Sequence, residues 1–129
     1  MMLWTLTPEQ LEIQRSVAAL CSDARAAGED QQAIWQRLAE AGWLGMHLPE
    51  AAGGLGCGAV EVALLMQALG QQGFPVPFIQ RAIIFGGLLA EADPAAGPLA
   101  ATIAGSEIGV ALIDPGLKLR YQAGKLSLG

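Results

Sequence analysis

Every apolar stretch of helical period in this chain ends at a stop signal: Gly28, Gly42, Gly70, Asp93-Pro94 and Gly105. Glycine past the end of such a stretch takes a left-handed conformation without strain, and proline cannot continue a helix. A chain punctuated in this way forms short helices that must share one core. The first opens at Thr7, a good N-cap, with Pro8 at the first helical position and Gln10 completing a capping box. Leu6 and Leu11 stand at the positions of a hydrophobic staple, and Ile13, Val17, Leu20 and Ala24 form the apolar stripe.

Asp30 can cap a second helix in which Ile34, Leu38 and Ala41 share a face, with Trp35 flanking it. A third is predicted from Ala59 to Leu69, burying Val62, Leu65, Met66 and Leu69 and stopping at Gly70. Gly73 to Pro77 is stiff and non-helical, since each proline disfavours helix in the residue before it. The fourth, Phe78 to Glu91, is apolar nearly all round, which predicts burial on several sides. A short fifth helix runs from Pro98 to Ala104.

The pattern then changes. Ile108 to Ile113 suits a buried strand and Asp114-Pro115-Gly116 a turn. Leu117, Leu119 and Tyr121 alternate with Lys118 and Arg120, the period of a half-buried strand, and Gln122-Ala123-Gly124 can turn the chain into Lys125 to Leu128. The expected fold class is all-α: a bundle of about five helices over residues 1–107, with a short C-terminal β segment over 108–129.

Composition narrows the function. A net charge of −5, with scattered Lys and Arg, lacks the basic footprint that nucleic acid requires. The longest apolar run, Ala82 to Ala90, falls far short of the roughly 20 residues of a membrane span. Met1 to Leu6 has no basic region of the kind that opens a signal peptide. Cys21 and Cys57 are lone thiols without metal or disulfide spacing, so a cytoplasmic setting is expected. Charged residues make up only 15% of the chain, which leaves little polar surface and predicts that something else covers part of the apolar surface.

Gly54, Gly56 and Ala59 formally fit G-x-G-x-x-[GA], but that fingerprint works between a strand and a helix with an acid about 20 residues on. Here a helix and a Pro-containing turn precede it and no such acid follows, which favours a tight helix-to-helix connection. His47 is the only histidine, which excludes a His-based triad or multi-histidine metal site, and it reads as a loop residue packed against helix ends. Glu61, Glu91 and Glu107 are isolated acids without a partner for acid–base work. Cys57 reads as a small buried residue, and Trp35 and Trp43 as core anchors.

The order of segments resembles the acyl-CoA dehydrogenase family. Leu6-Thr7-Pro8-Glu9-Gln10 opens a helix as that family does. Leu38 to Gly45 runs into Leu48-Pro49-Glu50 and then Gly53-Gly54-Leu55-Gly56, similar to the family's "L-A-E-L-G-W-L-G … P-E-E-Y-G-G-L-G". Leu69-Gly70, Phe74 to Phe78 and Gly105-Ser106-Glu107 extend the likeness across essentially the whole chain. Ala51-Ala52 and Gln67-Ala68 depart from the family's Glu-Tyr and paired glutamates.

The resemblance implies a helical N-terminal domain followed by the start of an incomplete middle β-domain. It implies an enzyme that oxidises the Cα–Cβ bond of an acyl-CoA with FAD, using a glutamate in a C-terminal half that this chain does not contain. Ile113-Asp114-Pro115-Gly116 stands where the family carries the flavin-contacting Thr-Glu-Pro-Gly, and is the cofactor-binding candidate. Ile113 offers no hydroxyl to the flavin, and Leu117 to Arg120 replace Ala-Gly-Ser-Asp. Two readings follow. One is an acyl-pocket wall and packing domain that is inactive and flavin-free alone; the other is a non-catalytic helical scaffold or partner subunit. Either predicts association, as a homo-oligomer or with a missing partner.

Overall fold

The computed structural model describes residues 5–74, 76–95, 97–106, 119–122 and 125–128. Its helices are α1 (Pro8–Ala26), α2 (Gln31–Glu40), α3 (Ala59–Gln72), a π-helical segment (Ile79–Phe85) continuing into α4 (Gly86–Ala92), and α5 (Gly97–Ile103). Short 3-10 turns at Trp43–Gly45 and Glu50–Ala52 lie between α2 and α3. Strands β1 (Leu119–Gln122) and β2 (Lys125–Leu128) pair antiparallel, from Leu119 opposite Leu128 to Gln122 opposite Lys125. The helical bundle is as expected. The predicted strand Ile108 to Ile113, the turn after it and the flavin candidate Ile113, Asp114, Pro115 and Gly116 lie outside the described residues.

The capping chemistry forms as the sequence dictates. The Gln10 amide donates to Thr7 Oγ1 at 3.2 Å while the Thr7 amide donates to Gln10 Oε1 at 3.0 Å. Asp30 Oδ1 accepts from the Ala33 amide at 2.9 Å to start α2. Each such cap satisfies donors that the first turn cannot bond internally, and is worth about 1 kcal/mol. The turn between α1 and α2 is tied by a two-point pair, with Arg37 Nε and Nη2 donating to the Glu29 carboxylate at 2.6 Å each.

The core gathers Val17 and Cys21 of α1, Trp35 and Leu38 of α2, and Leu65 and Leu69 of α3 around Met46 and Phe78. Three expectations need correction. Gly70 does not stop α3: the helix runs on to Gln72, and Gly73 takes the left-handed cap at φ 71°. In α3 the buried stripe is Leu64, Leu65, Ala68 and Leu69, so Val62 and Met66 are only half-buried. On α2, Trp35 is buried beside Ile34 and Leu38, while Ala41 is exposed.

The fourth helix differs most. Its first two turns are π-helical, and it is not buried all round: Phe78, Ala82 and Gly86 face inward while Ile79 and Leu88 are 43% and 55% exposed. Phe78, Ala82 and Gly86 recur every four residues, so one apolar stripe docks fully, Ile83 packs partly against the core, and Ile79 and Leu88 stay exposed.

Candidate functional site: an apolar cleft beside His47

The glycine-rich stretch is a structural clasp. The amide of Gly53 donates to the Glu50 carbonyl, Gly54 to Pro49, Leu55 to Gly45, Gly56 to Leu48 and Cys57 to Met46. Every donor from Gly53 to Cys57 is thus used inside the chain, and a phosphate cradle needs those donors free. Glycine is required at 54, where a Cβ would lie 2.2 Å from the Leu48 carbonyl oxygen and 2.5 Å from that of Gly45. The helix-to-helix connection expected from the sequence is what forms.

This clasp fixes His47. Met46 and Leu48 on either side are buried, and both give their carbonyls to the loop. Pinned between them, the imidazole is directed at the fourth helix, where a Cβ on Gly87 would come within 4.0 Å of its Nε2. Neither ring nitrogen has a partner in hydrogen-bonding geometry. Burial lowers the His47 pKa, and the Ile83 backbone carbonyl opposes that effect only in part. His47 is therefore neutral at pH 7, with one N–H donor and one acceptor nitrogen.

Around it opens a cleft of about 400 Å³, lined by His47, Cys57, Val62, Ala63, Met66 and Ile83. Burial, and then the nearby Glu61 carboxylate, raises the Cys57 thiol above its ordinary value. A thiol held protonated is a poor nucleophile, so Cys57 contributes surface rather than reactivity. A second apolar cleft of about 380 Å³ runs past Leu69, Gly70, Phe74 and Ile79, and meets the first at Met66. Val62 and Met66 were expected in the core and instead line openings. What marked the site in sequence was a lone histidine between two apolar residues.

Two of the three isolated acids, Glu61 and Glu91, lie among the described residues. Glu61 Oε1 accepts from Gln10 Nε2 at 3.0 Å, and that bond, with backbone amides at Glu61 and Gly58, holds its carboxyl below the ordinary value. Glu91 is exposed on α4, and Glu107 lies outside the described residues. Among the described residues no three His, Cys, Asp or Glu side chains come together to hold a metal. No described helix is long and apolar enough to cross a membrane.

The family model for the acyl-CoA dehydrogenase N-terminal domain matches residues 7–95. Acyl-CoA dehydrogenase IpdE2 of Mycobacterium tuberculosis is 34% identical over 99 residues, covering 76% of this chain and 30% of that protein. Acyl-CoA dehydrogenase FadE27 of the same organism is 37% identical over 57 residues, covering 44% of this chain and 15% of the relative. Among solved structures, the ChsE4-ChsE5 complex from Mycobacterium tuberculosis matches with a TM-score of 0.70 at 21% identity, covering 98% of this chain and 40% of that one. The last likeness shows the fold. The chain therefore spans well under half the length of these relatives.

Proposed function

The chain belongs to the acyl-CoA dehydrogenase family through its N-terminal domain, and from that premise we propose that it acts as the helical domain of a FAD-dependent, acyl-CoA-oxidising assembly. In this reading residues 1–107 supply a wall of the acyl pocket and packing surface, and residues 108–129 begin the β-domain. The protein works in the cytoplasm. The chain alone neither holds FAD nor oxidises acyl-CoA. The carrying observation is the pairing of a family match over residues 7–95 with apolar clefts that lack an acid–base pair. Abstraction of an α-proton needs a carboxylate within hydrogen-bond reach, and hydride transfer needs a held flavin.

A second reading has one observation in its favour. The similar solved structure is a complex of two different proteins, which suits a subunit that keeps the helical fold and completes a site with a partner chain. The test is to purify the chain alone, then together with candidate flavoprotein partners, and to record the flavin spectrum and acyl-CoA oxidation. The chain alone should be colourless and inactive. Near-equimolar flavin on the chain alone would overturn the proposal.

A further inference from the structure

We draw no further inference here: the strongest candidate, the groove at the start of α2 where Arg81 lies over the Trp35 ring beside Asp30 and Gln32, carries nothing, because the unpartnered Trp35 Nε1 is closed to solvent and a helix N-terminus with no second sign of a ligand does not make a site.

Discussion

Gln10 uses one side chain to join two helices: its Oε1 accepts from the Thr7 amide at 3.0 Å while its Nε2 donates to Glu61 Oε1 at 3.0 Å. At the other end of α1, Arg25 donates to the Gln72 carbonyl and lies 5.2 Å from the centre of the Phe74 ring. Since 10 meets 61 and 25 meets 72, α1 and α3 run side by side in the same direction, clamped at both ends. Replacing Gln10 with Ala removes both bonds, of which the capping one should cost about 1 kcal/mol. A cycle of Gln10→Ala, Glu61→Ala and the double variant, read by urea unfolding, should be non-additive. Additive losses would show that the link between the helices contributes nothing.

That clamp shows what the sequence could and could not convey. Thr7, Pro8 and Gln10 announce the start of α1 because capping is local: donor and acceptor lie three residues apart. The partner at Glu61 is 51 residues away and leaves no local trace. The same distinction explains α3. Periodicity located the helix, but an apolar stripe as broad as Val62, Leu64, Leu65, Met66 and Leu69 fits more than one face, and contact with α1 decides which one is buried. The π-helical segment was likewise invisible, because Ile79 to Phe85 carries no residue that distinguishes five-residue from four-residue hydrogen bonding. Of the candidate site, the sequence shows His47 only as a packed loop residue and its cleft not at all.

Two glycines that look alike in sequence should respond oppositely to alanine. Gly70 lies inside α3 with open space where a Cβ would go, so Gly70→Ala should stabilise the chain by roughly 0.5–1 kcal/mol. Gly54→Ala drives a methyl into the Leu48 and Gly45 carbonyls and should break the clasp, with loss of soluble folded protein. Thermal unfolding of the two variants checks this. Destabilisation by Gly70→Ala would mean that α3 ends where glycine first occurs.

Acid should weaken the fold through His47. Its pKa is lowered in the folded chain, chiefly by burial, from an ordinary value of 6.5. As pH falls through 6.5 the unfolded chain takes up a proton that the folded chain still refuses, so unfolding is favoured. The contribution is fully present above 6.5 and is lost progressively down to the folded value. Urea midpoints between pH 7.5 and 5 should fall for the native chain and fall less for His47→Phe. Glu61 adds a separate loss at lower pH, since its own lowered pKa, held down first by Gln10, makes it stabilising only while ionised. Parallel pH profiles for native and His47→Phe protein would remove His47 from this account.

Association should depend on the outer face of the fourth helix. Ile79 and Leu88 are 43% and 55% exposed, and Ile79 also borders the apolar cleft lined by Met66, Phe74 and Val76. Burial of apolar surface is worth about 25 cal/mol per Å², so covering a few hundred Å² favours pairing by several kcal/mol before the entropy of association is subtracted. Leu88 is the position to alter, because Ile84 is half-buried and a charge there would disturb the fold as well. Leu88→Glu should leave the thermal transition of the isolated domain nearly unchanged, as surface substitutions generally do. It should also shift sedimentation towards the monomer, or weaken capture by a flavoprotein partner. A native chain that sediments as a monomer at high concentration, and that binds each partner equally well with Leu88→Glu, would show that this face is simply tolerated exposure.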